Sequence, residues 1–174
     1  MSASPRECFE QAPSIDIVRE SPLWEKQLDI DAMLRRAIAE AAASVATKDT
    51  ELAIVLTDDS RIRALNRVWR GSDKPTDVLS FPAKKHGQSG PTALLGDIVI
   101  AYETTARDAA AQDTPFLHHL AHLAVHGFLH LHGYDHEVEE EAEAMERIEC
   151  EILARLHIPD PYSARDTDVT DRHA

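Results

Sequence analysis

The sequence predicts an α+β fold in one domain: a small mixed sheet of about four strands packed with about five helices. Three observations predict it. The chain has 174 residues, which falls in the ~100–200 range of one domain and is long enough to bury a hydrophobic core. Several short segments carry the alternation or short apolar run of a strand, and longer ones carry helical spacing. The two kinds follow one another in mixed order, without a regular βαβ repeat.

Each element can be justified in turn. Ser14 to Arg19 alternates, with Ile15 and Ile17 on one side, as a short strand does. Pro22 to Ala46 places Leu28, Met33, Leu34, Ile38, Ala41, Ala42 and Val45 at helical spacing and reads as one amphipathic helix. Glu51 to Thr57 (ELAIVLT) is a buried strand, and Asp58 or Asp59 suits the N-cap of a helix over Ser60 to Trp69. Arg70 to Asp77 (RGSDKPTD) is a loop by composition, and Val78 to Phe81 is a strand stopped by Pro82. Ala83 to Thr92 is polar and glycine-containing. Leu94 to Ala101 (LLGDIVIA) is a further strand, and Glu103 to Gln112 is helical. Thr114-Pro115 reads as N-cap and first position of a helix that runs to about Leu131, where Gly133 ends it. Val138 to Leu156 is a final, strongly acidic helix. The domain is expected over residues 14–158, with residues 1–13 and 159–174 as tails.

Composition narrows the function classes. The net charge is −13, so binding of nucleic acid by bulk charge is excluded and any such role needs a local basic patch. Arg61, Arg63, Arg67, Arg70 and Lys74 fall in one helix and loop, and Lys84 and Lys85 follow; the acids concentrate in Glu137 to Glu151. For Arg61 and Arg63, a solvated helix face serves as well as a nucleic-acid groove. Cys8 and Cys150 are far apart and form no C-x-x-C, so neither a disulfide framework nor a thiolate zinc site is expected. Met1 to Ser14 lacks the apolar run of a signal peptide, and no stretch approaches the ~20 apolar residues of a membrane span. A cytoplasmic protein without a membrane partner is therefore expected.

The chemistry concentrates in HGFLHLHGYDH, His126 to His136. His126 and His130 are four apart on a helix, so both side chains share one face and can reach one ion. Gly133 can adopt a left-handed conformation and turn the chain back, bringing His136 up as a third ligand. The expectation is a metal site at a helix end, one Zn2+ per chain on His126, His130 and His136. Three protein ligands with a fourth position left to solvent is the pattern of catalytic zinc. The spacing also matches the metzincin metalloproteases, but those carry Glu directly after the first histidine, and here that residue is Gly127. His118 and His122 continue the row and suit a polar stripe or supporting hydrogen bonds better than a fourth ligand. His132 should point away. Asp135 could orient a ligand imidazole or only satisfy turn backbone.

HGFLHLHGYDH, with the upstream RGSDKPTDVLSFP (Arg70 to Pro82) and LLGDIVI (Leu94 to Ile100), resembles the YbeY family of bacterial endoribonucleases. The three blocks occur in the family's order, over roughly residues 50–157. The resemblance implies an α+β fold, a zinc ion on the three histidines and cleavage of single-stranded RNA. It also implies a role in ribosomal RNA maturation at the small-subunit 3′ end, and in ribosome quality control. Arg70 carries over as the family's functionally important arginine, the candidate catalytic residue. The implied partners are single-stranded RNA, ribosomal RNA or the ribosome, with a ribosomal protein as a further candidate.

Read from the residues alone, Arg70 offers a permanently charged, planar donor pair for transition-state charge on a phosphodiester. It equally suits the C-terminal end of the preceding helix, where cations are favoured. The attacking group, 2′-OH or water, and the general base stay open. Ser80 is a candidate phosphate contact, Phe81 a core residue, and Asp97 a fold-holding or supporting residue. Two other classes compete with the nuclease: a zinc hydrolase of a peptide or small amide, and a ribosome-assembly factor that binds RNA or a ribosomal protein around structural zinc.

Overall fold

The computed structural model describes residues 12–45, 49–83 and 93–163. Ala46, Cys8, Lys84 and Lys85, most of the 1–13 tail, nearly all of the 83–92 segment and the end of the 159–174 tail lie outside the described residues. The described elements are β1 (Ser14–Arg19), a 3-10 turn (Pro22–Lys26), α1 (Ile30–Ser44), β2 (Thr50–Thr57), α2 (Asp59–Arg70), β3 (Val78–Pro82), β4 (Ala93–Ala101), α3 (Tyr102–Ala111), α4 (Phe116–Leu131) and α5 (Glu139–Arg155). The fold is α+β, as expected.

The four strands form one sheet in the order β1-β2-β4-β3. β2 runs parallel to β1 and to β4, and β3 closes the other edge antiparallel to β4. Pro82 is tolerated in β3 because an edge strand needs fewer backbone donors. Successive side chains point to opposite faces, and the sequence uses both. Leu52, Ile54, Leu56, Ile98 and Ile100 join α1, α4 and α5 in the main core. Leu79, Val99 and Ala101 face the other way and pack on Ile62 of α2. Phe81 packs against this second cluster, its ring 5.8 Å from that of Trp69.

Two element boundaries depart from the sequence reading. The helix expected over Pro22 to Ala46 is split. Pro22 opens a 3-10 turn that Ser21 caps by accepting from the Leu23 N–H. Asp29 then adopts a left-handed conformation (φ 64°) before α1 begins at Ile30. The physical reason is Trp24. It is fully buried, its indole N–H donates to the Thr57 carbonyl at 2.8 Å, and this pins the turn over the end of β2. Leu28, assigned to the apolar face by spacing, falls in the break and is 80% exposed. The second departure is the start of α4. Thr114 does not cap it; its hydroxyl donates to the Gln112 carbonyl, and Pro115 occupies the cap position.

α4 is the central helix. Leu120, Ala121, Ala124, Val125, Phe128 and Leu129 are fully buried, so the helix is apolar on most of its circumference. The row His118, His122, His126, His130 is left as its polar stripe. No described helix is long and apolar enough to cross a membrane.

Candidate metal centre

The stripe ends at a glycine turn that does two jobs. Gly133 has φ 87°, its N–H donates to the His130 carbonyl, and the Tyr134 N–H donates to the Leu129 carbonyl. This is a Schellman stop, which satisfies the last carbonyls of α4. The reversed chain also brings the Tyr134 carbonyl to Nδ1 of His130 at 2.9 Å. Three residues on, His136 meets the pair, its ring centroid 5.0 Å from that of His130 and 5.7 Å from that of His126. One ring nitrogen from each of His126, His130 and His136 lies within 4.8 Å of the others.

The hydrogen bonds fix which nitrogens face inward. Nδ1 of His130 must donate, because its partner is a carbonyl. Nδ1 of His126 must also donate, because its partner at 2.5 Å is the Glu149 carboxylate. Both Nε2 atoms therefore carry lone pairs when the rings are neutral, and they face each other at 3.0 Å. Two lone pairs at that distance repel unless a cation or a proton lies between them. Burial, then the neighbouring His126, pushes the His130 pKa down, favouring the neutral, ligating form. The donor set thus fits a metal ion, and an imidazole with its other nitrogen tied to an oxygen, as in His126 and His130, is the usual arrangement around zinc.

Glu149 was not found by sequence reasoning, which read Val138 to Leu156 only as a strongly acidic helix. Its side chain is fully buried. Oε1 accepts from His126, Oε2 accepts from Nε2 of His122 at 3.1 Å, and the Tyr162 hydroxyl donates to the same oxygen. Burial alone would raise the Glu149 pKa, but the hydrogen bonds and charges of His122 and His126 outweigh it and hold the carboxyl at about 2. A signal was present: Met145, Glu149, Ile152 and Leu153 share the buried face of α5, so one acid interrupts an apolar stripe. His122 accordingly supports the site through Glu149.

The remaining candidates divide as follows. Arg70 is the last residue of α2, and it lines one cavity of about 180 Å³ together with Asp77, Ser80, His126, His130 and His136. Among the described residues no carboxylate pairs with it. Ser80 also lines this cavity, but its hydroxyl donates to the Gly127 carbonyl at 3.2 Å and ties β3 to α4. Gly127 is where the two elements touch: a Cβ there would lie 2.9 Å from Cγ2 of Ile98 and 3.1 Å from Oγ of Ser80. The position that carries the metalloprotease glutamate therefore faces the sheet. Asp135 accepts from the His136 N–H at 2.7 Å, and the same oxygen lies 3.6 Å from Nδ1 of His136, so it serves the turn and stands beside the imidazole ring. His132 turns back to the Phe128 carbonyl. Asp97 is exposed and lines a different cavity with Trp69 and Phe81. In the basic cluster, Arg63 pairs with Asp73 at 3.0 Å and Arg61 lies 3.9 Å from Glu20. That leaves Arg67, Arg70 and Lys74 exposed on this side.

The family model described as Endoribonuclease YbeY matches residues 19–157. A protein named Endoribonuclease YbeY from Rhodopseudomonas palustris (strain BisA53) is 52% identical over 165 residues, covering 92% of this chain and 96% of its own. Another of that name, from Nitrobacter winogradskyi, is 54% identical over 157 residues, covering 87% and 83%. A solution structure of a Thermotoga maritima protein is similar with a TM-score of 0.50 at 25% identity, covering 82% of this chain and 91% of that one.

Proposed function

Because this chain belongs to the Endoribonuclease YbeY family, we propose that it is a single-strand-specific, zinc-dependent endoribonuclease of ribosomal RNA maturation. It would act at the small-subunit 3′ end and in ribosome quality control, in the cytoplasm. Its substrate would be ribosomal RNA, free or in the ribosome, with a ribosomal protein as a further partner. The observation that carries the metal dependence is the 3.0 Å approach of the His126 and His130 Nε2 atoms, whose Nδ1 atoms are both committed elsewhere.

His126, His130 and His136 would hold one zinc ion per chain. When bound, zinc supplies Lewis acidity and lowers the pKa of coordinated water to about 7. The protein's own contribution is placement. Glu149 holds the His126 ring, Tyr134 holds the His130 ring, and the Schellman turn sets the approach of His136. Arg70 presents a fixed cation in the same cavity, where it can bind the scissile phosphate and stabilise the charge that builds on its oxygens. A peptidase would need a carboxylate after His126, and the contact of Gly127 with Ile98 leaves no space for one.

The test is RNA cleavage by the purified, nuclease-free chain. Single-stranded RNA should be cut, duplex RNA spared, activity lost with a chelator and restored by zinc. Metal-replete protein that leaves single-stranded RNA intact would overturn the nuclease reading in favour of an assembly factor. Cleavage unaffected by chelation would overturn the metal dependence.

A further inference from the structure

A second group of donors sits apart from the three histidines. Asp77 precedes β3, Asp108 lies on α3 and His119 lies on α4. One carboxylate oxygen from each acid and one ring nitrogen of His119 all lie within 4.8 Å of one another. Three separate elements thus converge on one point. Asp77 is held in place by its own backbone surroundings, since its Oδ1 accepts the Val78 N–H at 2.8 Å. Among the described residues, no lysine or arginine makes an ion pair with either carboxylate; Arg107, bound to Asp59, acts on Asp108 only through space and does not overcome the rise in its pKa.

His119 supplies an independent observation. Its side chain is only 5% exposed, and its buried Nε2 has no hydrogen-bond partner. A buried polar nitrogen without a partner is costly and calls for an explanation. Packing alone does not give one, because an apolar residue would fill the same space without the cost. Two carboxylates drawn together beside it repel when both are ionised; burial, then the Asp77 charge, pushes the Asp108 pKa up. A cation at their common point bridges the acids and takes the lone pair of whichever ring nitrogen of His119 faces them.

We propose that Asp77, Asp108 and His119 form a second cation site, for a divalent first-row metal ion of the manganese or zinc type. The donor set chooses the class. Two carboxylates suit manganese, and an imidazole nitrogen favours a first-row metal over calcium or magnesium. Two negative charges and one neutral ligand match an ion of charge two. The place is also informative. Asp77 and Asp108 line a cavity of about 460 Å³ with Arg70 and Lys74, and Asp77 also lines the three-histidine cavity. A bound ion turns this wall from anionic to neutral beside Arg70, which a polyanion approaching that side requires. The site does not depend on the three histidines holding zinc.

Manganese binding to the chelator-stripped full chain, followed by the loss of the free-ion electron paramagnetic signal, tests this. The His126→Ala variant, with the first site disabled, should bind one equivalent of manganese. Adding Asp108→Asn, which is near-isosteric, should weaken that binding at least tenfold, and adding His119→Gln should do the same. Circular dichroism melting identifies any variant that fails to fold; the other variant then decides. The proposal is overturned if His126→Ala binds no manganese, or if its one equivalent survives both second substitutions.

Discussion

The carboxylate of Glu149, from α5, accepts the Nδ1–H of His126, from α4, at 2.5 Å, and so α5 sets the tautomer of the first candidate metal ligand. The same carboxylate takes His122 and Tyr162 on its other oxygen. Glu149→Gln keeps the shape but removes the charge and turns one acceptor into a donor. Zinc affinity is expected to fall about 10–100-fold, measured by competition with a chromophoric chelator, while the fold persists. Glu149→Ala leaves buried donors without an acceptor and should also cost about 2–3 kcal/mol in a urea melt. Zinc binding within twofold of the parent in the glutamine variant would remove Glu149 from the site.

Arg70 is the sharper test of phosphoryl chemistry. Arg70→Ala should lower the cleavage rate about 100–1,000-fold with zinc content unchanged by metal analysis. Arg70→Lys should recover little, since a point charge does not reproduce a planar pair of donors. A parallel loss of zinc would mean that Arg70 supports the centre instead of the substrate.

Gly127 tests the packing argument. A Cβ there meets Ile98, a β-branched side chain on an inner strand, at 2.9 Å. Gly127→Ala gains about 1 kcal/mol of helix propensity but overpacks a tight contact at a cost of about 1–3 kcal/mol. A net destabilisation of about 1 kcal/mol is expected by chemical denaturation. Gly127→Glu, the metalloprotease residue, should cost more than about 3 kcal/mol and confer no peptidase activity. A well-folded glutamate variant would show that the helix can lift off the sheet.

Cys150 should be a poor nucleophile. Burial, followed by its hydrogen bond to Asp160, pushes the thiol up to about 12. A raised pKa depletes the thiolate as pH falls below it, and the greater nucleophilicity of the remaining thiolate only partly compensates. At pH 8, alkylation by iodoacetamide in a Cys8→Ser background should run roughly 10–100-fold slower than a free thiol. Asp160→Asn should speed it up. Labelling at the rate of a free thiol in the parent would contradict the shift.

Much of the site was legible because it is local. His126 and His130 are paired by the period of one helix, and Gly133 marks the turn that returns His136, so the relevant geometry lies within eleven consecutive residues. The strands were readable for the same reason: Ile98 and Ile100 against Val99 and Ala101 is a period of two, and the sheet uses both faces. The break at Asp29 was not readable, because it depends on Trp24 reaching the Thr57 carbonyl across 33 positions of sequence.

The sequence by itself determined the histidine trio as candidate ligands, the α+β class and the family, since short-range periodicity and turn chemistry act between neighbours in the chain. Only the tertiary structure decided what surrounds the trio. Glu149 reaches His126 across 23 residues, Arg70 reaches the same cavity from another helix, and Asp77, Asp108 and His119 converge from three elements. Such meetings are fixed by how helices pack on a sheet, and no interval along the chain records them.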